Sequence, residues 1–156
     1  MYKKEIKRKW LVDLSKIDNL NNYKCDYIKY GCLSQQQDSL NVSVISINNK
    51  EYKLILKDSG LKSRNNIIYD ISRDEFDTSI TLSGSKVLEK KRYYIPSSFD
   101  ENKIISVDIF NNFDFVIAEY ESDNEIVVDI FRDEEWFTKE VTDNEKFYST
   151  NIVYNK

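Results

Sequence analysis

The sequence contains no histidine, and this absence excludes several kinds of catalytic site. It rules out a Ser-His-Asp triad, a Cys-His pair and any zinc site that uses imidazole. Cysteine is also scarce, since Cys25 and Cys32 are the only two. Their spacing fits no zinc motif, and on one strand they would face opposite sides, so we expect two reduced thiols. A metal ion would therefore bind carboxylate oxygens, as Mg²⁺ and Mn²⁺ do.

The chain also lacks long apolar runs and an excess of positive charge. No stretch approaches the ~18 apolar residues of a transmembrane helix, and the N-terminal segment lacks the apolar core of a signal peptide, so we expect a cytoplasmic protein without a membrane partner. The 23 Lys and Arg against 27 Asp and Glu give a net charge of −4. This balance argues against a general nucleic-acid surface but permits a basic pocket. The length predicts one domain, residues 1–156.

The residue usage predicts a mainly β (α+β) protein, because β-branched and aromatic residues favour strands. There is one alanine against 18 isoleucines, 11 tyrosines and eight phenylalanines. Segments that alternate between apolar and polar residues predict eight strands and a candidate ninth. The strands are expected near residues 3–12, 25–33, 40–47, 51–57, 65–71, 87–95, 103–110 and 115–122, with the ninth near 125–131.

Local signals also predict turns and short helices. Ser72 and Glu75 have the capping-box spacing and should begin a helix that continues to about residue 82. A second helix is expected over residues 133–142, with Trp136 and Phe137 docking it. Asn48-Asn49 is typical of a hairpin turn, and Pro96 should end a strand.

Charged residues recur at every second position of several predicted strands, and therefore share one face. Glu5, Lys7 and Lys9 do so on the first strand, and Lys90 and Arg92 on the sixth. One interpretation is an antiparallel sheet with one solvated face. The other is a closed barrel whose charged faces surround a polar cavity. A cavity that holds both acids and bases would bind a metal ion and a polyanion together.

Several segments resemble the motifs of one family, in the family's order and along nearly the whole chain. Residues 4–12, KEIKRKWLV, resemble the opening Glu-x-Glu-x-Lys strand of the CYTH superfamily. These are the triphosphate tunnel metalloenzymes, which include class IV adenylate cyclases and thiamine triphosphatases. Other similar segments are IKYGCLS at 28–34, YKLILK at 52–57, EKKRYYIP at 89–96, VDIF at 107–110, IAEYE at 117–121, KEVT at 139–142 and YSTN at 148–151.

This resemblance implies an eight-stranded antiparallel β-barrel, or tunnel, with a few short peripheral helices. Family members hydrolyse or cyclise triphosphates, so it also implies a triphosphate-containing small molecule or polyphosphate as partner. The phosphate-binding residues that carry over are Lys9, Lys57, Arg64, Lys90 and Arg92. The metal ligands that carry over, for Mg²⁺ or Mn²⁺, are Glu5, Asp108, Glu119 and Glu121.

The chain departs from the family pattern at several functional positions. Lys7 replaces the second glutamate of the opening motif, and two like charges ~4 Å apart repel by about 4 kcal/mol at an intermediate dielectric. Lys7 and a divalent ion should therefore exclude one another. The other replacements are Asn41 and Ser43 for Arg-x-Arg, Asn66 and Ile68 for Glu-x-Glu, Ser106 for a glutamate and Tyr30 for a glutamine.

Two interpretations of Lys7 follow: its ammonium acts as a built-in phosphate-binding cation, or it only neutralises the neighbouring acids. The leading hypothesis is a divergent tunnel protein that binds phosphate-rich ligands with weak or absent hydrolysis. An active metal-dependent triphosphatase is the first alternative. A non-catalytic scaffold that binds proteins through its outer surface is the second, and a homodimer is possible.

Overall fold

The computed structural model describes residues 1–36 and 38–155. Within them lie nine strands and three short helices, α1 (Arg73–Ser83), α2 (Glu125–Asp129) and α3 (Ser149–Ile152). The strands are β1 (Tyr2–Val12), β2 (Lys24–Cys32), β3 (Leu40–Ile47), β4 (Glu51–Asp58), β5 (Ser63–Asp70), β6 (Val87–Pro96), β7 (Ile104–Phe110), β8 (Val116–Ser122) and β9 (Phe137–Glu140). Short 3₁₀ turns occupy Leu14–Lys16, Leu20–Asn22, Glu145–Phe147 and Val153–Asn155.

Eight strands form a closed antiparallel barrel, as predicted. The order β5-β4-β3-β2-β6-β7-β8-β1 returns on itself because β1 also pairs with β5. The first half of β1 pairs with β5 from Tyr2 to Ile6, and its second half pairs with β9 along the same edge. The other edge of β1 pairs with β8. This closure satisfies the backbone groups of β1 on both sides and turns one face of each strand inward.

Two predictions for the C-terminal third are wrong. The segment expected as a ninth strand near 125–131 forms α2 over Glu125–Asp129, because the Asn124 side chain caps it by accepting from the backbone N–H groups of Ile126 and Val127. Residues 133–142, expected as a helix, contain β9, whose backbone pairs with β1 beyond the end of β5. Trp136 and Phe137 pack against Trp10 and its neighbours rather than docking a helix.

The other local predictions are confirmed. Ser72 and Glu75 form the capping box of α1, and β6 ends at Pro96. Asn48 and Asn49 both have positive φ, at 55° and 54°, as the hairpin turn between β3 and β4 requires. Cys25 and Cys32 are free thiols on one strand, the first exposed and the second buried. No helix in residues 1–36 and 38–155 has the length and apolarity that crossing a membrane requires.

Apolar residues pack on both sides of the barrel wall. An outer core lies over β1, β6, β7 and β8, and consists of Ile6, Trp10, Tyr93, Ile95, Ile105, Val107, Val116, Ala118, Tyr120, Val128, Phe131 and Trp136. An inner cluster fills one end of the barrel, with Tyr30, Cys32, Leu88, Phe110, Ile117, Ile152 and Val153. Since Ile152 and Val153 belong to it, the C-terminal segment closes that end, and the remaining interior is lined by charged and polar side chains together with several isoleucines.

Trp10 holds the outer core together, and we expect its loss to be costly. Its ring is fully buried and stacks on Phe137 at 4.3 Å between ring centroids. Trp10→Ala should lower the free energy of unfolding by roughly 3–5 kcal/mol, measured by urea denaturation. The control Leu82→Ala removes an exposed side chain and should change it by less than about 0.5 kcal/mol. Equal effects of the two substitutions would contradict this assignment of the core.

Candidate functional site

The polar interior begins on β1, where alternation separates two kinds of side chain. Ile6 and Trp10 point into the outer core, whereas Glu5, Lys7 and Lys9 point into the barrel. These three charged side chains are nearly inaccessible to solvent. Burying charges without partners is prohibitive, so the neighbouring strands must supply opposite charges at the same level.

Glu5 is surrounded by donors from three strands. Its Oε1 lies 2.6 Å from Lys7 Nζ and 3.2 Å from Arg64 Nη2. Its Oε2 lies 3.0 Å from Lys57 Nζ and accepts from Asn66 Nδ2 at 2.7 Å. Burial opposes ionisation, but the charges of Lys7, Lys57 and Arg64 outweigh it and hold the pKa of Glu5 far below its ordinary value.

Lys7 joins this group to Glu119 on β8. Its Nζ lies 2.6 Å from Glu5 and 3.7 Å from Glu119 Oε2, so one ammonium bridges two carboxylates. Glu119 also lies 3.1 Å from Lys9 Nζ and 3.8 Å from Arg92 Nη2. Despite burial, these cations hold the pKa of Glu119 well below its usual range. Pairing of Lys7 with Glu5 and Glu119 is the arrangement that charge neutralisation requires.

A third buried carboxylate, Asp108 on β7, is held from β6. Arg92 donates to it through Nε at 2.7 Å and Nη2 at 2.8 Å, the two-pronged geometry in which guanidinium binds carboxylate best. Lys90 Nζ adds a contact at 2.8 Å. Burial opposes its ionisation, but Arg92 and Lys90 lower the pKa of Asp108.

The interior carries more positive than negative charge. Among the described residues, six cations (Lys7, Lys9, Lys57, Arg64, Lys90 and Arg92) contact only three buried carboxylates, an excess of three positive charges. The whole chain, by contrast, is acidic at −4. All six cations line one cavity of about 220 Å³. The excess therefore faces a space that a small anion can enter.

Burial and neighbouring cations lower the pKa of three of these lysines, Lys9, Lys57 and Lys90. Burial foremost, opposed by Glu119 and reinforced by the charge of Lys7, lowers the pKa of Lys9 to about 7. Burial and then the charge of Lys7 lower the pKa of Lys57 to about 8. Lys9 Nζ also donates to the Phe147 carbonyl at 2.8 Å and lies 3.8 Å from the centre of the Tyr148 ring. An anion in the cavity would favour the protonated form of Lys9 and Lys57.

Two buried polar atoms beside Glu5 are left without a partner. Within the described part of the chain, Nε of Arg64 and Oδ1 of Asn66 make no hydrogen bond. Such atoms cost free energy unless a water molecule or ligand satisfies them. Arg64 lines the cavity with its side chain, although its Nε atom itself is buried.

The side chains present do not fit a divalent-ion site in this arrangement. Every oxygen of Glu5, Asp108 and Glu119 lies within 4 Å of a cation, and the Lys7 ammonium occupies the space between two of these carboxylates. No group of three or more acidic or thiol side chains in residues 1–36 and 38–155 is arranged to hold a metal. Glu121 lines the same cavity but is half-exposed and paired with Lys3 at 2.7 Å.

The replaced motif positions lie around the same cavity. Asn41, Ser43, Tyr30 and Ile68 line it. Asn66 is buried against Glu5, and Ser106 lies directly opposite Glu119 in the β7–β8 ladder.

The C-terminal segment contacts the cations of the cavity, a role that was not predicted from the sequence. The Tyr148 ring lies within 5.5 Å of Lys7, Lys9 and Arg64, measured from its centroid to each cationic group, and its hydroxyl donates to the Thr142 carbonyl at 2.7 Å. Ser149 and Thr150 line the cavity. The motif-like segment at 148–151 marks these residues, but no local spacing reveals their contacts, because their partners on β1 and β5 are distant in sequence.

Comparison with solved structures identifies the fold. The chain shares it with the inorganic triphosphatase NE1496, at a TM-score of 0.70 and 21% identity over 96% of this chain and 93% of that one. A Bacillus halodurans protein named as a candidate adenylate cyclase gives 0.56 and 16% over 83% and 86%. The Hippeastrum protein HpAC1, described as having a dominant triphosphatase activity, gives 0.51 and 15% over 83% of each chain. Protein-family models and curated sequences give no match.

These similarities confirm, at the level of the fold, the resemblance to triphosphate tunnel proteins. They span the barrel from end to end, since more than four fifths of each chain is covered. The residue-level assignments of phosphate and metal ligands stay predictions.

Removing one partner of a buried ion pair should destabilise the barrel strongly. Asp108→Asn leaves Lys90 and Arg92 without their main counter-charge and should lower the free energy of unfolding by roughly 3–5 kcal/mol. The control Asp70→Asn removes the carboxylate of an exposed pair with Lys53 and should have no measurable effect. Urea denaturation of both variants checks this, and a stable Asp108→Asn protein would contradict the described network.

Proposed function

We propose that the barrel binds a triphosphate group or another polyphosphate through its cations, without a divalent metal ion, and hydrolyses it weakly or not at all. The observation that carries this proposal is that six cations line one cavity and contact only three buried carboxylates. The fold shared with an inorganic triphosphatase supports the ligand class.

Lys7 explains why the proposal dispenses with a metal ion. A divalent ion on a triphosphate site neutralises phosphate charge and positions the attacking group. The Lys7 ammonium supplies the first of these from a fixed position between Glu5 and Glu119. It has no open coordination position for water, and Asn66 and Ile68 offer no carboxylate to orient one. Binding is therefore expected to be retained and catalysis to be weak.

Removing one inward ammonium should weaken binding, whereas removing an outward one should not. Lys7→Met should weaken tripolyphosphate binding in EDTA roughly tenfold to a hundredfold, the value of one charge-assisted hydrogen bond. The matched control is Lys4→Met on the same strand, where the side chain is exposed. Isothermal titration calorimetry measures both. If neither substitution weakens binding, or if both weaken it equally, a binding site inside the barrel would be contradicted.

Binding should also take up protons above neutral pH. Lys9, with a pKa of about 7, is mostly neutral at pH 8 in the free protein, and a bound polyanion raises that pKa. The affinity for tripolyphosphate should therefore fall as the pH rises from 7 to 9, and the protein should take up protons when it binds at pH 8. Calorimetry in buffers of different ionisation enthalpy measures the uptake.

Lys9→Met is the control for this proton uptake, because protonation of the ligand itself is the same with either protein. The variant should take up fewer protons than the natural chain at pH 8. If the two take up the same number, Lys9 does not titrate with binding.

A metal-dependent triphosphatase is the second candidate, and it is favoured by the similarity to NE1496. It predicts rapid release of phosphate from tripolyphosphate that stops when EDTA is added. A colorimetric phosphate assay distinguishes it from the first proposal, which predicts little release in either condition.

A further inference from the structure

We propose that the cavity prefers a phosphate monoester or diphosphate monoester of an aliphatic alcohol, with the hydrocarbon part against a stripe of isoleucines inside the barrel. This inference rests on the proposed function, since it uses the same cations for the phosphate end. It adds a class of ligand with a hydrocarbon part, which an inorganic polyphosphate lacks.

The isoleucine stripe crosses four neighbouring strands. Ile28 on β2, Ile45 on β3, Ile55 on β4 and Ile68 on β5 all line the cavity. Ile55 lies directly opposite Ile68 in the β4–β5 ladder. Ile45 is one diagonal step from Ile55 and from Ile28, because Ser43 is opposite Ile55 and Tyr30 is opposite Ile45. Diagonal neighbours on one face lie ~7–8 Å apart, within contact range of branched side chains.

Ile45 packs against the inner cluster, whereas the other three isoleucines of the stripe lie outside both hydrophobic clusters. Ile28 and Ile55 are 6% and 9% exposed, yet neither belongs to the outer core or to the inner cluster. Their side chains are shielded from bulk solvent by the barrel wall and face the cavity. The cavity therefore joins a highly charged wall to an apolar one, and an organic ligand that contacts both needs a charged end and an apolar part.

On β4 and β5 the cations and the isoleucines follow one another in an order that fits such a ligand, and on the β2–β6 side Lys90 lies directly opposite Ile28. On β4 the inward side chains are Lys57 and then Ile55, and on β5 they are Arg64, Asn66 and then Ile68. The end near Arg64 contacts Tyr148 of the closing C-terminal segment. The phosphate group would therefore lie beside Lys57 and Arg64, and the hydrocarbon would lie along the stripe.

An inorganic polyphosphate would leave this stripe in contact with water. A hydrocarbon chain would cover it and gain ~0.8 kcal/mol for each buried methylene, or about fourfold in affinity. We therefore expect hexyl diphosphate to bind roughly fifteenfold tighter than butyl diphosphate in EDTA, measured by calorimetry below the aggregation concentration of both.

Substitutions within and outside the stripe test its role. Ile68→Ser should reduce the ratio of hexyl to butyl affinity severalfold and leave tripolyphosphate affinity within about twofold, which also shows that the variant is folded. The matched control Ile67→Ser alters the next residue of β5, which is 40% exposed on the outer face, and should leave the ratio unchanged.

These titrations have three outcomes that separate the further inference from the proposed function. A ratio that depends on Ile68 and not on Ile67 supports the inference. A ratio near one, or a ratio that Ile67→Ser abolishes, overturns it, while tripolyphosphate binding leaves the proposed function standing. If neither the alkyl diphosphates nor tripolyphosphate bind, the proposed function fails and this inference fails with it.

Discussion

The arrangement of charged side chains in the interior depends on the free-energy cost of placing ionised groups inside a closed barrel. An unpaired buried charge is unaffordable, so each of Glu5, Asp108 and Glu119 has two or more cationic partners. The cations outnumber the carboxylates, and the remaining positive charge is compensated by solvent, by a bound anion or by loss of a proton from Lys9 or Lys57. The need to compensate this positive charge favours a bound anion, and so connects the stability of the free protein to its capacity for binding phosphate.

The closure of the barrel through β1 creates this situation. Glu5 on β1 lies directly opposite Arg64 on β5, and Lys7 and Lys9 lie opposite Glu121 and Glu119 on β8. The same strand carries Ile6 and Trp10 on its other face, where the outer core fixes its position. One strand therefore serves as the anchor of the core and as the central wall of the charged cavity.

Much of this could be predicted from the sequence, because strand alternation is a local property. The inward faces of Glu5, Lys7, Lys9, Lys90 and Arg92 follow from the period of two, and the barrel follows from the ordered motifs. Asn41 and Ser43 also line the cavity, as their alignment with the missing arginines implied.

The rest depends on contacts that are distant in sequence. Glu5 pairs with Arg64 across the β1–β5 ladder that closes the barrel, and no spacing within either strand predicts this pairing. The β-branched run at Ile126 to Val128 favours a strand by propensity, but the Asn124 cap and burial of Val128 make it helical. The segment around Phe137 becomes a strand because β1 offers a free edge beyond β5, a condition that exists only in the folded protein.

The most direct test of the account is a calorimetric titration of the natural chain with tripolyphosphate, first in EDTA and then with excess Mg²⁺. If the Lys7 ammonium and its neighbours supply the positive charge, the protein binds in EDTA, and Mg²⁺ weakens the apparent affinity because it chelates the free ligand. Binding that appears only when Mg²⁺ is added would contradict the account, since it would show that a metal ion, and not the built-in cations, holds the phosphate.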